Sequence, residues 1–188
     1  MGRNASKIQS PTRPAAGFTL VELMVVVAVL AVGLVLAVPS FTTLTRRNAL
    51  ISASNEIVGA LQTAKAEAIR RNRRVSLCAS SDGVACNSAD WSRMIVIVDG
   101  SGEVVSDLRP IGPGITGQGS SNVAGTSRIR FGADGLVRIG AAANREGAIS
   151  LCSDDLPVAE NTRDIRVSVS RIWTETRDGT AACAQLTD

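Results

Sequence analysis

The four cysteines are the side chains of this sequence best suited to chemistry, either as disulfides or as metal ligands. They are Cys78, Cys86, Cys152 and Cys183. Zinc is the alternative, but the sequence has no C-x-x-C pair and the spacing suits no common zinc finger. Four cysteines allow three connectivities. We expect Cys78–Cys86, which closes a short loop, and Cys152–Cys183, which ties the C-terminal tail to a strand.

The composition excludes most catalytic mechanisms. The 188 residues contain no histidine, which removes the commonest general base and every nucleophilic pair built on it. No other group of residues resembles a catalytic site, so we predict that the protein is not an enzyme and uses neither a metal nor a cofactor. The residues 111–125, rich in Gly and Ser, are expected to form a surface loop.

Glu22 is a charge at the start of a long apolar segment. No polar side chain occurs from residue 23 to residue 38, and the stretch 18–38 is long enough, at about 1.5 Å per residue, to cross a bilayer. A carboxylate there costs about 2.5–3.5 kcal/mol on insertion scales, which makes Glu22 a candidate functional residue; the alternative is that its side chain reaches the polar interface of the membrane. A buried helix in a soluble domain is the alternative, but so small a chain cannot supply a core around it.

Basic residues precede this segment. Arg3, Lys7 and Arg13 lie before it without an acidic residue, so the positive-inside rule places residues 1–17 in the cytoplasm and the long remainder outside, where disulfides persist. Without residues 1–17, the chain has seventeen basic and seventeen acidic side chains. A cleaved secretory signal is the alternative, but no small-x-small site follows the apolar run.

Residues 17–23 (GFTLVEL) resemble the prepilin cleavage motif of type IV pilins and type II secretion pseudopilins. The match covers the glycine before the cut, the phenylalanine after it and the glutamate five residues into the mature chain. The resemblance implies cleavage between Gly17 and Phe18 by a prepilin peptidase and N-methylation of Phe18. It also implies a role for Glu22 in assembly.

A helical pattern continues beyond the apolar segment. From Ala53 to Ala68 apolar residues recur every three or four positions, so we predict one helix from Phe18 to about Arg71. Four arginines near its end complement the helix dipole, with a phosphate-binding patch as the alternative. The predicted strands are 75–79, 93–98, 103–108, 128–131, 136–139, 148–152 and 164–176.

These elements predict an α+β fold in which a long N-terminal helix packs on antiparallel β-sheets. The expected divisions are a cleaved prepilin leader at 1–17, a transmembrane helix at 18–38, the amphipathic half of the helix at 39–74, and a β-rich periplasmic domain at 75–188.

Residues 61–72 (LQTAKAEAIRRN) and 131–135 (FGADG) look like the helix ending and the hairpin of the GspH/FimT family, and the terminal strand followed by Cys183 also fits. The family contains a type II secretion pseudopilin and minor type IV pilins of the FimT and FimU kind, and the two cysteine pairs resemble the pilus branch. The resemblance implies a structural subunit that initiates or caps type IV pilus assembly; the alternative is type II secretion system protein H, a pseudopilus subunit.

The family resemblance also implies where the protein works and with what. The expected partners are other major and minor pilins in a helical fibre, the prepilin peptidase, the inner-membrane assembly platform and the inner membrane itself. We expect a single-pass protein of the bacterial inner membrane, with its N-terminus in the cytoplasm and its C-terminal domain in the periplasm, that moves to the fibre tip after assembly.

A DNA-binding receptor pilin for natural transformation is a further alternative. Some FimT proteins carry a Gly-Arg-x-Arg motif near the C-terminus, and the aligned residues 170–173 (SRIW) keep the first arginine, Arg171. On one regular strand Arg163 and Arg177 share the face of Arg171, whereas Arg166 lies on the other face. We therefore expect weak DNA binding, with Arg171, Arg163 and Arg177 as the contacts.

Overall fold

The computed structural model describes residues 17–108, 111–178 and 184–188, without the side chains of residues 35–40. Its first element is helix α1 (Leu20–Arg71), which confirms the predicted helix. Two hydrogen bonds close its end: the N–H of Arg73 donates to the Ala68 carbonyl at 3.1 Å and the N–H of Asn72 to the Ile69 carbonyl at 3.2 Å. This Schellman motif requires a left-handed residue, which Asn72 provides with a φ of 51°.

The chain divides into two units, Met1–Ser40 and Phe41–Asp188. In the first unit the apolar side chains of α1 up to Leu34 are exposed, and Phe18 before the helix is 77% exposed. Across residues 17–108, 111–178 and 184–188, no helix combines the length and the apolarity that crossing a membrane requires.

In the second unit α1 buries the face that the sequence pattern predicts. Seven of its apolar side chains are less than one tenth exposed, namely Leu50, Ala53, Ile57, Ala60, Leu61, Ala64 and Ala68. Four of these are alanines, so the backbone of the helix approaches the strands closely. The face packs against buried side chains of both sheets in one hydrophobic core.

Nine strands and a short helix follow in the described chain. They are β1 (Val75–Ala79), β2 (Met94–Val98), β3 (Val104–Leu108), β4 (Thr116–Gly119), α2 (Ser121–Ala124), β5 (Arg128–Phe131), β6 (Val137–Ile139), β7 (Glu146–Cys152), β8 (Thr162–Ser168) and β9 (Arg171–Arg177). Six of these strands confirm the predicted ones with bounds that differ by two residues at most.

The strands form two antiparallel sheets. The five-stranded sheet has the order β3-β2-β1-β5-β6 and the four-stranded sheet the order β4-β7-β8-β9. In β5 the burial alternates, with Ile129 and Phe131 in the core and Arg128 and Arg130 on the outer face. Each sheet therefore has an apolar face toward α1 and a second face that carries polar groups.

The prediction that residues 111–125 form a surface loop is wrong. This segment contains β4 and α2, and it buries Ser120 and Val123 completely. Its glycines serve close packing, because a Cβ at Gly117 would lie 2.9 Å from the Trp91 Cβ. Ser120 fixes the segment to β7 by accepting a hydrogen bond from the Ala148 N–H at 2.9 Å.

The prediction of a single strand over residues 164–176 is also wrong. Strands β8 and β9 form a hairpin whose turn contains Val169 and Ser170. Val169 has a φ of 55°, a left-handed conformation that is rare for a β-branched residue. The hairpin reverses the chain, so the faces assigned from a regular strand change.

Candidate functional site

The residues of the expected cleavage motif lie where α1 begins. Gly17, Phe18 and Thr19 precede the helix, and Thr19 caps it: its Oγ1 accepts a hydrogen bond from the Glu22 N–H at 3.2 Å. Glu22 thus occupies the first turn, near the positive end of the helix dipole. The arrangement leaves the Gly17-Phe18 peptide bond exposed and outside regular structure.

The disulfide Cys78–Cys86 is confirmed, with the two Cα atoms 5.5 Å apart. It holds a loop against the outer face of the five-stranded sheet, where Cys78 packs with Ile95 and Ile97 in a small second core. Asp82 orders the loop by accepting hydrogen bonds from the N–H groups of Val84 and Ala85. These bonds lower the pKa of its carboxyl to about 2.

The second expected disulfide is not tested. Cys152 is 3% exposed at the end of β7, but Cys183 lies outside the described residues. The pairing Cys152–Cys183 therefore stays a prediction. Among the described residues, no cluster of acidic side chains and cysteines has a geometry that could hold a metal ion.

The hairpin changes which arginines accompany Arg171. In the β8–β9 register Ser168 lies opposite Arg171 and Arg166 opposite Trp173, so Arg166 shares the face of Arg171. The assignment of Arg166 to the other face is therefore wrong. Arg171 is exposed, and its Cζ lies 5.3 Å from the centre of the Trp173 ring. Arg166 is already paired, its Nε 2.5 Å from the Glu175 Oε1.

Arg163 does not share the face of Arg171, contrary to the prediction. It lies opposite Thr176 and points toward α1, where it lines a cavity of about 220 Å³ with Arg47, Leu50 and Glu160. Its Nε is buried and makes no hydrogen bond within the part of the chain that the structure describes. The position separates Arg163 from any ligand that Arg171 could touch.

Arg177 does share the face of Arg171, but a buried carboxylate holds it. Its Nε lies 2.7 Å from Asp164 Oδ2 and its Nη2 3.1 Å from Asp164 Oδ1. The side chain of Asp164 is fully buried and also accepts a hydrogen bond from the Ser150 hydroxyl at 2.6 Å. This bidentate pair leaves Arg177 little capacity for a phosphate.

The arginines that end α1 have different environments. Arg70 and Arg71 both bind Glu67 at 2.5 Å, and Arg71 also binds Glu103 at 2.7 Å. Hydrogen bonds from Arg70 and Arg71 lower the pKa of Glu67 to about 2. These pairs occupy Arg70 and Arg71 with carboxylates of the protein itself, so the two side chains have little capacity left for a phosphate.

Sequence reasoning missed a basic surface on the outer face of the five-stranded sheet. Arg128 and Arg130 in β5 lie beside Arg138 in β6 and Arg74 before β1 around two cavities. The alternation Arg-Ile-Arg-Phe at residues 128–131 was a signal, because it predicts two arginines on one face. Their approach to Arg74 depends on the order of the strands, which the sequence pattern does not give.

Two family models match the sequence. The model of the type II transport protein GspH matches residues 53–173, which is more than half of the chain. The model of the prokaryotic N-terminal methylation motif matches residues 12–38. No curated protein matches the sequence.

A solved structure with a similar fold is the type IV minor pilin FimU of Pseudomonas aeruginosa strain PAO1, crystallised in space group P21. It is 25% identical, with a TM-score of 0.52, and the match covers 74% of this chain and 94% of that chain. The structure of the same pilin in space group P65 is also 25% identical and has a TM-score of 0.48. That match covers 70% of this chain and 93% of the pilin chain.

Proposed function

This chain belongs to the GspH family and is a minor pilin or pseudopilin, and we propose that it initiates or caps the assembly of a type IV pilus. The likeness to FimU carries this proposal, because it extends over 94% of a type IV minor pilin. The proposed role is structural and needs no catalytic group. Other pilins of the fibre and the inner-membrane assembly platform are the proposed partners.

We propose that a prepilin peptidase cleaves between Gly17 and Phe18 and that the new terminus is methylated on Phe18. The match to the methylation motif over residues 12–38 supports this step. So does the local structure, because a peptidase must bind an extended peptide and both residues precede the first turn of α1. Phe18 is 77% exposed and thus accessible.

We propose that residues 18–38 anchor the chain in the inner membrane, with residues 75–188 in the periplasm. The exposed apolar side chains of α1 support this topology, since about 25 cal/mol per Å² favours their removal from water. The disulfide Cys78–Cys86 supports it as well, because disulfides persist in the periplasm and are rare in the cytoplasm.

We propose that Glu22 pairs with the amino group of Phe18 in an adjacent subunit. A carboxylate in lipid needs a positive partner, and cleavage creates one four residues away in sequence. Pairing within one helix is the alternative. The cap on Thr19 involves the N–H of Glu22 and not its carboxylate, so the side chain is available for either arrangement.

Glu22→Ala is expected to insert in the membrane normally and to enter the fibre far less than the wild type. Insertion is preserved because removing the carboxylate lowers the free energy of membrane insertion by about 2.5–3.5 kcal/mol on insertion scales. The measurement is the amount of the variant in sheared surface fibres relative to the membrane fraction. Glu56→Ala, which removes an exposed carboxylate further along α1, is the matched control. Normal fibre recruitment of Glu22→Ala would refute the role in assembly.

Deletion of the gene distinguishes between a subunit of a type IV pilus and a subunit of the type II secretion system. If the chain initiates or caps a type IV pilus, the deletion should reduce the number of surface pili and leave type II secretion intact. Counting pili and assaying secreted proteins in the same strain measures both outcomes. Loss of secretion with normal piliation would instead identify a pseudopilus subunit.

A DNA receptor is the second candidate function, and the exposed Arg171 over the Trp173 ring favours it. Phosphate contacts supply most non-specific affinity for DNA and make it dependent on salt. Arg163 lies on the other face of the sheet and Arg177 is paired with Asp164. The arginines that remain for a DNA contact beside Trp173 are therefore Arg171 and the paired Arg166. We therefore propose that any DNA contact is weak.

We expect the full chain in a non-ionic detergent to bind duplex DNA with a Kd no tighter than about 10⁻⁵ M at physiological salt. Fluorescence titration of labelled duplex measures it. Arg171→Gln is the test variant, and Arg73→Gln, which removes an exposed arginine at the end of α1, is the control. Sub-micromolar binding that Arg171→Gln abolishes and Arg73→Gln leaves unchanged would make the receptor the better function.

A further inference from the structure

Three arginines lie side by side on the outer face of the five-stranded sheet. Arg128 and Arg130 alternate along β5, and Arg138 in β6 lies directly opposite Arg130 in the register. Directly opposite residues have Cβ atoms about 4.5–5.5 Å apart, and like charges at that distance destabilise a sheet. Such an arrangement needs negative charge nearby.

The described carboxylates that pair with these three arginines are fewer than the arginines themselves. Asp99 serves two arginines: its Oδ2 lies 2.6 Å from the Arg130 Nε and its Oδ1 3.5 Å from the Arg128 Nη1. The same Oδ1 accepts a hydrogen bond from the Ser76 hydroxyl at 2.8 Å. Within the described residues, Arg128 therefore has this one long, weak contact with a carboxylate and keeps most of its hydrogen-bonding capacity.

Arg138 has its own partner. Its Nη2 lies 2.6 Å from the Asp134 Oδ2 within the β5–β6 hairpin. Hydrogen bonds from the Arg138 guanidinium and the Leu136 N–H hold the pKa of Asp134 well below its usual range. Arg74, in contrast, is exposed and makes no salt bridge within the described residues.

Two cavities adjoin these side chains, and Arg128 and Arg130 line both. The larger, of about 470 Å³, is also lined by Arg74, and Asp99 is the one acidic residue among its described lining residues. The smaller, of about 200 Å³, adds Arg138, and no acidic residue lines it in the described chain. We call the surface formed by Arg74, Arg128, Arg130 and Arg138 the arginine cleft.

We propose that the arginine cleft binds the carboxylates of an extended acidic segment of another protein. A guanidinium presents a planar fork of donors that matches a carboxylate with two parallel hydrogen bonds. Arg128 and Arg130 are two residues apart on a strand, about 6.6–6.8 Å. Alternate side chains of an extended peptide repeat at the same distance, so aspartates or glutamates at every second position fit this pair.

Two observations favour an acidic protein segment over a nucleic acid. Neither cavity is lined by an aromatic ring of the described residues, so bases would have no stacking platform. The chain without residues 1–17 has equal numbers of acidic and basic residues, so long-range attraction of a polyanion is weak. The cleft acts through short-range pairing, and its four arginines lie outside both the expected leader and the expected membrane segment.

The test uses the full chain in a non-ionic detergent and three labelled probes of equal length. They are an alternating Asp-Ser peptide, an alternating Asn-Ser peptide, and a single-stranded oligonucleotide. Fluorescence polarisation at an ionic strength of about 0.15 M measures each affinity. We expect saturable binding of the Asp-Ser peptide and at least about tenfold weaker binding of the other two.

The test variant is Arg74→Gln with Arg128→Gln, which keeps the short Arg130–Asp99 pair that stabilises the sheet. It should weaken binding of the Asp-Ser peptide about tenfold or more. The matched control is Arg73→Gln with Arg145→Gln, which removes the same charge from two exposed arginines that line neither cavity. Circular dichroism of both variants establishes that they fold.

Three results would each overturn the proposal. The first is equal affinity for the Asp-Ser and Asn-Ser peptides, which would exclude recognition of carboxylates. The second is an equal loss of affinity in the test and control variants, which would reflect net charge alone. The third is preferential binding of the oligonucleotide, which would make the cleft a nucleic-acid site.

Discussion

Asp164→Ala is expected to reduce the free energy of unfolding by about 3–5 kcal/mol, the cost of breaking a buried ion pair. The side chain of Asp164 is fully buried and that of Arg177 is 25% exposed. Removing the carboxylate leaves the Arg177 guanidinium without its counter-charge and the Ser150 hydroxyl without its acceptor. Chemical unfolding of the full chain in detergent, followed by circular dichroism, measures the loss.

Glu175→Ala is the control for this prediction. Glu175 lies directly opposite Asp164 in the β8–β9 register and also pairs with an arginine, Arg166. Its side chain is 41% exposed, so its loss should cost only about 0–1 kcal/mol. Equal destabilisation by the two variants would contradict the view that burial makes the Asp164 pair the structural one. It would also make Arg177 a candidate for contact with a ligand.

Gly17→Val is expected to leave the leader of seventeen residues attached to essentially all of the protein. A prepilin peptidase needs a residue of little bulk before the scissile bond, and valine adds an isopropyl group there. The protein itself tolerates the change, because a Cβ at Gly17 would meet nothing within 4 Å. Intact-mass analysis of protein from the native host distinguishes the two forms.

Gly33→Val provides the matched control for processing. Gly33 is a second glycine of the N-terminal unit at which a Cβ would meet nothing within 4 Å, but it lies inside α1 and away from the cut. We expect its leader to be removed as in the wild type. Normal processing of Gly17→Val, or loss of processing in both variants, would show that Gly17 is not the recognised residue.

Most elements of the fold could be predicted because their residues follow one periodicity. The apolar spacing from Ala53 to Ala68 gave the helix, and the turn residues 133–135 between residues 128–131 and 136–139 gave the hairpin of β5 and β6. The disulfide Cys78–Cys86 followed from the short loop between them. In each case the local sequence and the tertiary structure favour the same conformation.

The errors came from residues that tertiary packing places in conformations unusual for their type. Gly117 and Gly119 indicate a loop by composition, yet they lie in β4, where Trp91 beside Gly117 and Val123 beside Gly119 leave no space for a Cβ. The β8–β9 turn contains no glycine or asparagine at its left-handed position, which Val169 occupies instead.

The candidate site was predictable only where it depends on sequence adjacency. Residues 17–22 are contiguous, so the cleavage motif needs no tertiary information. The sheet faces on which Arg163, Arg166 and Arg177 lie depend on the hairpin turn. Because the chain reverses there, Arg166 and not Arg163 shares the face of Arg171. The arginine cleft combines two residues of β5 with one residue of β6 and one that precedes β1 through the strand order, and no local pattern contains that order.

The central claim is that the processed chain is a subunit of a fibre. Its most direct test is mass spectrometry of sheared surface fibres from the native host, with the membrane fraction as reference. We expect the fibres to contain the chain beginning at N-methylated Phe18, in far smaller amounts than the major subunit. Detection of the chain only as an unprocessed protein beginning at Met1, and only in the membrane fraction, would contradict the claim.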